Sequence, residues 1–112
     1  MAGRPITLNV GGICFLTSKS TLERCDSFFS GMVRAYGKEE YFVDRDPTHF
    51  RHVLNWMRGV RFLPDEEMVL DELMWEADFY CLNDMKDAIA KHPVRYHMSK
   101  SLQRIADEVR TK

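Results

Sequence analysis

His49 and His52 stand three residues apart, a spacing that places two imidazoles on one face of a helix, as a metal pair requires. A zinc site takes four ligands, and the residues beside these two supply no others. They are expected to be surface histidines, with no metal. Cys14, Cys25 and Cys81 are odd in number and scattered among apolar or helical neighbours. They fit reduced thiols in a cytoplasmic protein rather than a disulfide framework. Gly11-Gly12 lacks the further glycines and the lysine of a phosphate-binding loop. No serine sits in a nucleophile-elbow sequence, and no histidine has an evident orienting partner. The expectation is a protein without catalytic residues or cofactor, and not an enzyme.

The remaining charged cluster, Asp44-Arg45-Asp46-Pro47, points to structure and contact instead. Asp46 can accept a backbone N–H as a helix cap, and Pro47 suits a first helical position because its missing donor is not needed there. Arg45 can pair with either neighbouring carboxylate.

The elements that must position these residues are legible from pattern. Ile6 to Val10 and Ile13 to Thr17 flank Gly11-Gly12, a strand–turn–strand hairpin in which positive φ favours glycine. Tyr41-Phe42-Val43 has the aromatic and β-branched character of a third strand. A first short helix carries Leu22, with Ser18 or Ser20 as its cap. Asp26 would cap a second over 27–36, with Phe28, Phe29, Met32 and Val33 as its apolar residues and Gly37 closing it. Phe50, Val53, Leu54 and Met57 predict an amphipathic helix over 47–58, ended by Gly59. Val69, Leu70, Leu73, Met74, Ala77 and Tyr80 predict another over 68–80, and Asn83 or Asp84 would cap a last one carrying Met85, Ala88 and Ile89. Pro93 marks the end of the compact domain, and beyond it Leu102, Ile105, Ala106 and Val109 recur at helical spacing. The fold class is α+β: a small three-stranded sheet with a cluster of helices.

At 112 residues the chain fits one domain with one modest core. Hydrophobic residues at 45% and charged residues at 29% argue against disorder. Sixteen basic against seventeen acidic side chains, alternating in sign, create no field for nucleic acid. No apolar run approaches the ~20 residues of a membrane helix, so no membrane insertion is expected.

Taken in order, Leu8-Asn9-Val10-Gly11-Gly12, Thr21-Leu22, Tyr41-Phe42-Val43-Asp44-Arg45-Asp46-Pro47, Leu54-Asn55-Trp56-Met57-Arg58-Gly59, Leu63-Pro64 and Glu76-Ala77-Asp78-Phe79-Tyr80 resemble the BTB/POZ fold. The branch they resemble is the potassium-channel tetramerisation type, shared by channel cytoplasmic domains and KCTD-type adaptors. The resemblance runs from about Ile6 to Ile89. It implies a tetramerisation-type domain over 5–92, followed by a C-terminal extension over 93–112 with a short amphipathic helix. It also implies a homo-oligomer, tetramer or pentamer, whose subunits meet near Asn9, Asp44, Arg45 and Asp46. The adaptor likeness implies a cullin scaffold as partner, held through Phe28, Phe29, Met32, Phe79 and Tyr80. The alternative is a cytoplasmic assembly domain or soluble regulator of a voltage-gated potassium channel. Channel-type members carry paired cysteines for an interfacial zinc; here Cys81 stands alone, so that site is not carried over.

Overall fold

A computed structural model describes residues 4–94, and every structural statement below refers to those residues. Strand β1 (Pro5–Val10) pairs antiparallel with β2 (Ile13–Ser18), in a register that sets Val10 opposite Ile13 across a two-residue turn. Gly11 and Gly12 take φ of 57° and 103°, as a tight hairpin turn needs. Gly12 N–H donates to Asn9 Oδ1 at 2.8 Å, locking the turn. Two helices, α1 (Lys19–Glu23) and α2 (Phe28–Tyr36), carry the chain over to β3 (Glu40–Val43). Strand β3 runs parallel to β1, so the sheet order is β2-β1-β3. A parallel return needs such a crossover, and the two helices supply it.

Alternation along the strands decides the faces. Ile6, Leu8, Val10, Tyr41 and Val43 are buried on the inner face. The register puts Thr7, Asn9, Cys14, Leu16, Glu40 and Phe42 on the other, where Leu16 and Phe42 are exposed. The helices α3 (Phe50–Met57), α4 (Glu67–Phe79) and α5 (Asn83–Ala90) complete the core with Phe50, Val53, Leu54, Met57, Leu70, Leu73, Ala77, Met85 and Ile89. The expected stripes on these helices face the core, with Val69, Met74 and Ala88 half-buried at their edges. No helix among the described residues is long and apolar enough to cross a membrane.

Several helix boundaries differ from expectation, for local reasons. Ser18 caps α1, but the cap of α2 is Ser27 rather than Asp26. Ser27 accepts from Phe29 N–H, and Ser30 Oγ accepts from Ser27 N–H, which satisfies two orphan donors reciprocally. Gly37 ends α2 in the left-handed conformation, as expected. Helix α3 begins at Phe50 and not at Pro47, because Phe50 N–H closes a tight three-residue turn onto the Pro47 carbonyl at 3.0 Å. Asp46 caps that turn, accepting Thr48 N–H at 2.8 Å, and does not cap the helix itself. Leu82, with no side-chain cap, precedes α5; Asp84 accepts Met85 N–H from inside it. The extension expected over 93–112, with its amphipathic helix, lies outside the described residues from 95 onward.

Candidate functional site

The four residues expected at a subunit contact gather at one end of the sheet. The hairpin turn abuts the segment after β3: Gly11 N–H donates to Val43 O at 3.0 Å, and Arg45 N–H turns back to the same carbonyl at 2.9 Å. A side chain at Gly11 would press into the Arg45 carbonyl oxygen. The turn that Asn9 holds thus packs against the segment that carries Asp44 and Asp46, both exposed. The Thr48 hydroxyl and N–H hold the Asp46 carboxyl below its usual range. Arg45 does not pair with either neighbouring carboxylate. It reaches α4, where it ion-pairs with Glu76 and lays its guanidinium 4.3 Å from the Phe79 ring centre. Adjacent charges cannot compete, because Glu76 is only 13% exposed and needs a cation, whereas Asp44 and Asp46 are hydrated.

The five residues expected to meet a partner divide into two sets. Phe29 and Tyr80 are fully buried and stack at 4.7 Å, with Phe50 against both. These two are core, and the expectation that they contact a partner is corrected: no surface of either is left to offer. Burial also pushes the Tyr80 phenol well above its ordinary value, and nearby Glu76 adds to this. Phe28 and Phe79 are the surface pair, 37% and 40% exposed with ring centres 5.5 Å apart. Phe28 N–H donates to Tyr80 O at 2.9 Å, which fixes the start of α2 against the end of α4. Met32, half-buried, continues this surface into a groove between α2 and β3, together with Tyr36, Tyr41 and Phe42. Phe79 joins the two sets, with Arg45 on one side and Phe28 on the other.

The two histidines do not share a task. His49 Nε2 lies 2.6 Å from Glu72 Oε2, bridging the Asp46–His49 turn to α4. His52 is half-buried, and desolvation, followed by the charges of His49 and Arg51, pushes its imidazole below the ordinary value. Among the described residues no group of three His, Cys, Asp or Glu side chains is placed to hold a metal ion. Sequence reasoning missed a second surface, the outward face of α4. Met68 and Trp75 are exposed there and form a groove with Asp46, Thr48 and His49. The signal was available: Met68 and Trp75 are seven apart and off the Leu70–Leu73–Ala77 stripe. Exposed aromatic and methionine side chains have the composition of a protein contact surface.

A model of the BTB/POZ domain family matches residues 6–89. The FH protein interacting protein FIP2 of Arabidopsis thaliana is 39% identical over 95 residues, covering 75% of this chain and 31% of its own length. The human BTB/POZ domain-containing protein KCTD17 is 36% identical over 86 residues, 70% of this chain and 27% of its own. Human KCTD5 is 34% identical over 107 residues, 88% of this chain and 45% of its own. The chain thus spans less than half the length of these curated relatives.

Proposed function

Because this chain belongs to the BTB/POZ domain family, in its potassium-channel tetramerisation type, we propose that it forms a ring of four or five copies that serves as a KCTD-type adaptor holding a cullin scaffold. A domain of this type is a protein–protein interaction and assembly module. On the proposed reading no substrate is turned over, and the work is done in the cytoplasm by surfaces alone.

The observation that carries the adaptor reading is the half-exposed Phe28–Phe79 pair, continued by Met32. Two aromatic rings held by backbone bonds at the meeting of two helix ends offer a rigid anchor that a partner helix can bury. Phe79 also supports Arg45, so its removal disturbs the fold; Phe28→Ala is the cleaner probe. Calorimetry against a cullin N-terminal domain is expected to show binding by the wild type. Phe28→Ala should lose about thirtyfold in affinity, the ~2 kcal/mol of an interfacial aromatic anchor. Wild type without measurable binding removes the adaptor reading. Equal binding by both proteins removes only this anchor.

A further inference from the structure

Strand β3 lies at one side of the sheet, with β1 along only one of its two edges. Its bonds to β1 show which backbone groups that edge uses. Thr7 N–H donates to Glu39 O at 2.9 Å, and Gly11 N–H donates to Val43 O at 3.0 Å. Bonding groups alternate along a parallel ladder, so Tyr41 and Val43 turn their N–H and C=O groups towards β1. Those of Glu40 and Phe42 point the other way, and among the described residues nothing takes them. The opposite side of the sheet differs, because Arg58 Nη2 donates to Leu16 O at 2.7 Å and caps part of β2. Open edges are ordinarily blunted by a proline or a bulge. Strand β3 contains no proline, and its pairing runs unbroken from Glu40 to Val43.

Two different surfaces flank this open edge. On the side of α2 lies the groove lined by Phe28, Met32, Ala35, Tyr36 and Tyr41, which is apolar or aromatic throughout those positions. The four α2 residues recur three, four or seven positions apart, so one helix face presents them to the edge. On the outer face of the sheet stand Glu40 and Phe42, both exposed. Among the described residues the Glu40 carboxylate makes no ion pair.

We propose that β3 takes up an extended segment of a partner protein as a fourth strand, one in which basic side chains alternate with apolar ones. The inference goes beyond the adaptor reading and does not depend on it. Three observations select this occupant. The outward N–H and C=O groups of Glu40 and Phe42 call for complementary backbone, which an extended chain supplies. Successive side chains of that chain point to opposite faces. One set falls on the α2 side, where the groove is apolar. The other falls beside the Glu40 carboxylate and the Phe42 ring, and a lysine or arginine complements both. A second copy of this chain fits less well. Its rigid edge would pair two outward residues and leave the α2 groove empty, too small a contact beside the ~800 Å² per partner of a stable interface.

Peptide binding to the full chain tests this. The probes are peptides of about ten residues that alternate lysine or arginine with valine, isoleucine or phenylalanine, followed by fluorescence anisotropy at physiological salt. The wild type is expected to bind them. N-methylation of every second peptide residue keeps all charges and removes one row of backbone donors. In the frame that faces β3 it should weaken binding about tenfold, and in the other frame it should not. Phe42→Pro removes one outward N–H and none of the bonds to β1, so it should weaken binding about tenfold with circular dichroism unchanged. Should that variant melt early, Glu40→Pro removes the neighbouring outward donor in its place. Glu40→Lys is expected to turn the preference from basic to acidic peptides. A wild type that binds none of these peptides overturns the proposal, as does binding that survives both N-methylation frames and the proline. A wild-type mass in solution that falls on Phe42→Pro places a second copy on the edge and overturns it too. The adaptor reading is tested by cullin binding, which none of these outcomes measures.

Discussion

Arg45 neutralises Glu76 and covers the ring of Phe79 at the same time, which makes it a structural residue of its own chain. Its side chain is 29% exposed, so the pair is neither a surface ornament nor a fully buried ion pair. Arg45→Ala would leave Glu76 with its charge under cover, and a loss of roughly 2–3 kcal/mol is expected, below the full cost of breaking a buried pair. Urea denaturation measures it, and an unchanged midpoint would mean that water already screens Glu76. His52 gives a pH dependence whose sign is fixed. Burial first, then His49 and Arg51, lowers its folded value below the ordinary 6.5, so the unfolded chain takes the proton more readily. The group's contribution is present above the unfolded value and is lost as pH falls through the folded one. Wild type is therefore expected to lose more stability than His52→Gln between about pH 7.5 and pH 5.5. The difference between the two proteins is the readout, because it cancels every contribution that both share. Identical losses would show that His52 titrates alike in both states.

The hairpin turn shows how one element depends on two different glycine properties. Gly12 has open space around a Cβ but a φ of 103°, so Gly12→Val is expected to cost about 1–3 kcal/mol through backbone strain alone. Gly11 has a φ of 57°, which other residues reach at modest cost, but its Cβ would press into the Arg45 carbonyl. Gly11→Ala should therefore move the Arg45–Pro47 segment and destabilise the protein despite the small side chain. Melting temperatures of both variants equal to wild type would contradict the turn geometry. This turn was legible in sequence because its chemistry is local, as were β3 and the buried stripes of α3 and α4. Other features were not local. Asp26 and Ser27 are adjacent oxygen acceptors, and only the path of the chain selects Ser27. Phe28 and Phe29 differ by one step of helix rotation, and so do Phe79 and Tyr80 across the end of α4. Which of each pair faces the core is decided by the stacking of Phe29 on Tyr80. The link between Arg45 and Glu76 spans 31 residues, and no spacing rule reaches that far.

At the scale of the whole molecule, the surfaces proposed for contact follow one another around the domain. The Asn9–Asp46 end of the sheet leads through Arg45 to Phe79 and Phe28, and then along α2 to the exposed Phe42 of β3. The acidic groove of α4 borders the same Asp46 turn. The family and its architecture were legible because its motifs are strung along the chain in order. The groove on the outward face of α4 was not, because it forms only where the Asp46–His49 turn folds back onto that helix. The most direct test of the account is the mass of this chain in solution. Sedimentation equilibrium at micromolar concentration is expected to give four or five times the mass of one chain. A mass equal to that of the single chain would contradict it.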